Sequence, residues 1–141
     1  MVCADRLLGL VWQELKAILE PIVANKSEQE RRIELITKGS IEMWSLDSMD
    51  TARGRGYALV VLDEAAMAPN LETVWTAAIR PMLTDEQGDA WFLSTPKGMN
   101  YFKTLFDRGQ DPANREWASW QMPTSENPIH SIGKSTRRGW T

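Results

Sequence analysis

The chain has 141 residues, 43% of them hydrophobic and 25% charged, with a formal net charge of −3, which suits one domain with a buried core and argues against a general nucleic-acid coat while leaving room for a local basic groove. Its single cysteine, Cys3, rules out an internal disulfide and points to a reducing compartment. No apolar run approaches a membrane span, and the N-terminus lacks the basic-then-apolar form of a signal peptide. There is no internal repeat and no low-complexity linker. Seven tryptophans are many for this length, but most fall within apolar patterns, which favours core packing over base stacking.

Over residues 5–20, Leu7, Leu8, Val11, Trp12, Leu15, Ile18 and Leu19 recur at helical spacing. Asp5 is the expected cap, and Pro21 with Asn25 ends the element. Residues 32–36 and 41–46 then alternate on either side of Lys38-Gly39-Ser40, a hairpin signal. Such a hairpin can edge an otherwise parallel sheet. Residues 47–56 read as a loop with a helical turn begun by Asp50. The loop contains Arg53-Gly54-Arg55-Gly56, whose simplest reading is solvated charge.

Next comes Tyr57-Ala58-Leu59-Val60-Val61-Leu62, a run too short for a helix and apolar enough for a strand buried on both faces, at the centre of a parallel sheet. It runs directly into Asp63 and Glu64. Chemistry in such sheets sits beyond the carboxyl ends of the strands. One carboxylate there can hold Mg²⁺ through its water shell while the other polarises an attacking water, the form of a Walker B element. The plainer alternative is a helix cap with an acidic first turn. Residues 71–80 predict a helix with Val74, Trp75, Ala78 and Ile79 inward, stopped by Pro81. After an acidic surface connection over 84–88, residues 90–95 form a second short buried strand and complete a β-α-β unit with a right-handed crossover. If the two strands are neighbours, Ser94 and Thr95 lie beside Asp63 and Glu64, where hydroxyls can sense a γ-phosphate or its water. Pro96-Lys97-Gly98 leads into a helix over 100–108 with Tyr101, Phe102, Leu105 and Phe106 on one face, and residues 117–122 predict a further strand.

Taken together, LVVLDEAA, the intervening W…IRP segment and FLSTPKG with its Phe-rich helix resemble the ATPase domain of phage terminase large subunits, over roughly Trp12 to Pro128. The WxELK and RIELxxxGSIEMWSLD segments are similar to that family's approach to Walker B. The resemblance implies an α/β fold of the P-loop NTPase (RecA/ASCE) type, a mostly parallel sheet flanked by helices, here incomplete. It implies an ATP-driven motor that packages double-stranded DNA into procapsids, using ATP and Mg²⁺. Its partners would be the terminase small subunit, the portal protein and further copies in a ring, in the cytoplasm of a bacterial host. Asp63 would hold Mg²⁺ through water and Glu64 would activate the nucleophile. Ser94, Thr95 and Pro96 would form the coupling motif. An arginine reaching a neighbouring subunit's nucleotide falls on Arg53 first and Arg55 second, since a guanidinium suits that task.

Two departures qualify the resemblance. The family's Walker A loop lies upstream of the first helix and has no counterpart here. Gly133-Lys134-Ser135 is a decoy, because Pro128 stands where the first glycine is required. The chain by itself is therefore expected to hydrolyse ATP poorly or not at all. The family's nuclease domain, downstream, is also missing. Residues 1–128 are accordingly read as a partial ATPase domain. Residues 129–141, which include the sole histidine His130, are read as an irregular tail: either a DNA-contacting arm or the out-of-family end of a truncated or frame-shifted gene. Rival readings are a superfamily 2 helicase fragment, which also pairs Asp-Glu with a Ser/Thr motif, and a non-catalytic remnant that docks on an intact motor.

Overall fold

The computed structural model describes residues 2–3, 8–46 and 54–123. The expected cap Asp5, the Asp50 turn, Arg53, Pro128 and the 129–141 tail lie outside them. The chain divides into two compact units, Met1–Thr104 and Leu105–Thr141.

In the first unit, β1 (Val2–Cys3) is followed by α1 (Leu8–Leu19) and a 3₁₀ turn, Glu20–Ile22, that carries Pro21. Three strands then form an antiparallel sheet in the order β2-β3-β4: β2 (Val23–Ser27), β3 (Arg32–Leu35) and β4 (Ser40–Glu42). The predicted helix and hairpin are present. β2 was not predicted, and the hairpin builds a sheet of its own with β2 instead of edging the parallel one. Trp12, Ile33 and Met43 make the core between α1 and this sheet, with Val11, Leu15, Leu19, Val23 and Leu35 packed around them. Glu28, in the turn between β2 and β3, accepts hydrogen bonds from Trp12 Nε1 at 2.6 Å and Lys16 Nζ at 2.7 Å. These bonds, that from Lys16 foremost, hold the Glu28 carboxyl below its ordinary range.

The second arm of the predicted hairpin, 41–46, is split. Met43 leaves the ladder, its N–H bonding Arg31 O at 3.0 Å. The chain then passes as β5 (Trp44–Ser45) into a second, wholly parallel sheet of order β5-β1-β6-β7, with β6 (Leu59–Leu62) and β7 (Asp89–Phe92). β6 is central, as expected, but not sealed on both faces: Val60 and Leu62 are buried while Leu59 is 50% exposed. β7 is likewise half-covered, with Trp91 52% exposed. One face of the pair is closed by the chain between them. There Leu71, Val74, Trp75, Ala78, Ile79, Met82 and Leu83 are buried, and the Trp75 ring meets Phe92 edge-to-face at 5.0 Å.

That connection corrects the expected stop at Pro81. The helix runs on, as α2 (Leu71–Val74), a π-helical turn Trp75–Ile79, and α3 (Arg80–Thr84). The wider turn resets the hydrogen-bond ladder, so Pro81 falls in the first turn of a new α-helical stretch, where a missing N–H is harmless. The return to β7 is tight: a Cβ on Gly88 would come within 2.3 Å of Tyr57 O and 2.8 Å of Ala58 O. No described helix is long and apolar enough to cross a membrane.

α4 (Tyr101–Gln110) spans the boundary between the units. Within the second unit, residues 117–123 have no regular secondary structure, contrary to the predicted strand. Ser119, central to that stretch, is committed to the helix. Its Oγ donates to Phe106 O at 2.7 Å, and Gln110 Nε2 donates to its carbonyl at 2.9 Å. A Cβ on Gly109 would reach 2.7 Å from Ala118 C, so only glycine permits this approach. The tryptophans are correspondingly mixed, with Trp12 and Trp75 buried and Trp120 66% exposed.

Candidate functional site

β6 and β7 pair in parallel register, Val61 with Trp91 and Leu62 with Phe92. The pairing continues past the strands: Leu93 N–H donates to Leu62 O at 2.8 Å and Ala65 N–H donates to Leu93 O at 3.0 Å. These bonds set Asp63 and Glu64 beside residues 93–95 at the carboxyl edge of the sheet, the predicted neighbourhood. Both carboxylates are partly exposed. Asp63 Oδ1 accepts the Glu64 N–H at 3.0 Å. Glu64 has φ 52° and ψ 36°, a left-handed conformation unusual for a residue with a side chain. It is followed by a 3₁₀ turn, Ala65–Met67, of which Ala65 and Ala66 are buried.

Ser94 is the predicted hydroxyl that meets this turn. Its Oγ accepts the Ala66 N–H at 3.1 Å, lies 3.5 Å from Glu64 Oε2 and is 3.1 Å from Thr95 O. Thr95 and Pro96 are exposed on the loop beyond. Asn100, which the sequence reading placed only as the start of a helix, turns out to belong to the same assembly. Its Nδ2 donates to Ala66 O at 2.9 Å while its Oδ1 accepts the Lys103 N–H at 3.3 Å.

Among the described residues no group of three or more His, Cys, Asp or Glu could hold a metal. The Asp63–Glu64 pair still fits Mg²⁺, a cation that keeps most of its waters and takes one or two carboxylates together with phosphate oxygens. A phosphate cradle is a different matter. The first-turn N–H groups of Lys103 and Thr104 are already taken by Asn100, so α4 does not offer them to an anion.

The Arg-Gly loop has an unforeseen partner. Glu42, at the end of β4, is 6% exposed and its Oε2 accepts from Arg55 Nη1 at 2.7 Å, Tyr57 Oη at 2.8 Å and Trp44 Nε1 at 3.3 Å. Its Oε1 faces Arg32 Nη1 at 3.3 Å. A buried carboxylate is tolerable only with such a donor set. The Arg55 guanidinium also lies over the Trp44 ring, 5.3 Å from its centroid. Burial, then the bond to Glu42 and its charge, pushes the Tyr57 phenol up to about 12. The second arginine candidate is thus engaged within its own chain.

No family model matches the chain. It is similar to the terminase large subunit of Escherichia phage T5, 26% identical over 125 residues, which cover 86% of this chain and 28% of that protein. It is also similar to the terminase large subunit of Thermus virus P23-45, 46% identical over 65 residues, 46% of this chain and 13% of that one. Among solved structures, the large terminase ATPase domain of Thermus phage P74-26 superposes with a TM-score of 0.59 at 28% identity, covering 77% of this chain and 51% of that chain. A point variant of the same domain gives 0.58. The chain therefore spans less than a third of these curated relatives and about half of the solved ATPase domain. Its fold is the P-loop α/β type of that domain, covered in part.

Proposed function

We propose that this chain, which belongs with the large subunits of phage terminases, works in the ATP-driven motor that packages double-stranded DNA into procapsids, with Asp63 and Glu64 as its Walker B element. The observation that carries this reading is the junction of two parallel strand ends, where the carboxylate pair, the Ser94 hydroxyl and the turn at Ala66 are held together. Asp63 would hold Mg²⁺ through water, and Mg²⁺ when bound with ATP neutralises charge on the phosphates. Glu64 orients and polarises the attacking water, its carboxylate aimed by a fixed left-handed backbone. Ser94, in reach of Glu64, with Thr95 and Pro96, carries the change onward as the coupling motif. Arg53, ahead of the site in sequence, serves the neighbouring subunit's nucleotide in a homo-oligomeric ring. Small subunit, portal and DNA are the partners of the assembled motor, in the host cytoplasm.

The 141 residues contain no Walker A motif, so the chain alone is expected to show no robust ATP turnover. In a full-length large subunit containing this segment, Glu64→Gln should lower turnover by about a hundredfold or more while nucleotide stays bound in a filter assay. Turnover at the normal rate in that variant refutes the assignment.

A further inference from the structure

Both backbone polar groups of one buried residue, Ala66, are bound by side chains from the connection between β7 and α4. Its N–H goes to Ser94 Oγ at 3.1 Å and its C=O receives Asn100 Nδ2 at 2.9 Å. Ala66 is 4% exposed and stands two residues after Glu64. The intervening residues 95–99 connect two side chains that bind this one residue, with Gly98 at φ 64° and Met99 90% exposed. Asn100 does a second job with the other end of its amide, since Oδ1 accepts the Lys103 N–H in the first turn of α4. The donor end faces a carbonyl and the acceptor end faces an N–H, so the amide orientation is fixed by its partners.

We propose that Asn100 is a positioning residue that ties the turn carrying Asp63 and Glu64 to the start of α4. Movement of the turn then reaches the helix through the Ala66–Asn100 bond and not only along the pliant 95–99 connection. This deepens the reading above, on which it rests for its role in hydrolysis. The 95–99 connection alone is a poor transmitter, because an exposed loop with a left-handed glycine absorbs displacement by changing its own dihedrals. A side chain bonded at both ends to backbone, one end buried, does not.

The test is amide hydrogen exchange by NMR on the whole chain, without nucleotide. Asn100→Asp keeps the acceptor that caps α4, where Asp is as good as Asn, but removes the donor to Ala66 O. Exchange at Ala66 and Met67 should rise about fivefold, the effect of losing one hydrogen bond, with Lys103 unchanged. Ser94→Ala, which loosens the same residue from its N–H side, should raise exchange at Lys103 and Thr104 in the parent chain and not in the Asn100→Asp background. Unchanged exchange at Ala66 and Met67 in Asn100→Asp, or an effect of Ser94→Ala on α4 that is the same in both backgrounds, overturns the bridge. Because nucleotide is absent, the outcome is independent of the Glu64→Gln turnover assay. Normal turnover there with the exchange pattern present overturns the hydrolysis reading and not the bridge.

Discussion

Removing the Glu42 carboxylate should damage this fold more than removing any one of the groups bound to it. In Glu42→Ala, the Tyr57 hydroxyl and the Trp44 indole N–H each lose an acceptor in a half-buried setting, at about 1 kcal/mol apiece. Arg55 loses its charge partner while Arg32 keeps Glu34 at 3.2 Å, and their side chains are 45% and 36% exposed, so water replaces much of what Glu42 supplied. With the vacated methylenes included, the expected loss is about 3 kcal/mol, at the low end for breaking a buried ion pair. Arg55→Ala leaves Glu42 with three other donors and should cost only about 1 kcal/mol. The assay is urea unfolding of the three proteins, comparing midpoints at a common slope. Equal losses for Glu42→Ala and Arg55→Ala, or a loss below about 1 kcal/mol for the former, would refute the view that Glu42 organises this cluster.

Alkaline titration tests the same cluster from another side. Tyr57 ionises near 12 in the folded chain against 10.0 ordinarily, so the folded state holds the proton more tightly and the associated stability is whole below pH 10 and lost as pH rises through about 12. Unfolding measured across that window should show the decline, and Tyr57→Phe should abolish it; an unchanged slope in the variant counts against the assignment. At the return to β7, Gly88→Ala forces a Cβ into two backbone carbonyls and should cost about 3 kcal/mol or more or abolish soluble expression. Gly56→Ala, whose Cβ meets only the flexible Glu86 side chain at 3.1 Å, should stay within about 1 kcal/mol by the same unfolding assay.

The parts legible in the sequence are those where one residue pattern has one physical meaning. Apolar positions at helical spacing gave α1, and two short apolar runs, the first ending in carboxylates and the second in hydroxyls, gave the β6–β7 pair with Asp63, Glu64 and Ser94 together. β2 was invisible because Val-Ala-Asn-Lys-Ser is an edge strand with no fully buried side chain, so periodicity has nothing to register. The stop rule failed at Pro81 because a π-turn resets the ladder ahead of it, a choice made by packing of Trp75 and Ile79 rather than by local preference. Alternation over 117–122 misled because the Ser119 groups are taken by α4. Asn100 and Glu42 escaped notice for a common reason. Each acts through partners remote in the chain, 34 residues away for Asn100 and 13 and 15 residues away for Glu42.

The backbone at Glu64 bears on how such a chain would evolve. The other described side-chain residues with positive φ, Arg31, Lys38 and Gln87, lie in surface turns, where many residues are interchangeable. At 64 a glycine would adopt the same dihedrals without the penalty of about 1 kcal/mol that a Cβ incurs there, and the carboxylate returns little to folding through a 3.5 Å contact with Ser94. Drift in a lineage freed from hydrolysis would therefore run toward Gly or Asn at this position, with a gain in stability at each step. On the proposed role of Glu64, a Glu kept at 64 against that gradient would reflect its chemistry rather than the fold.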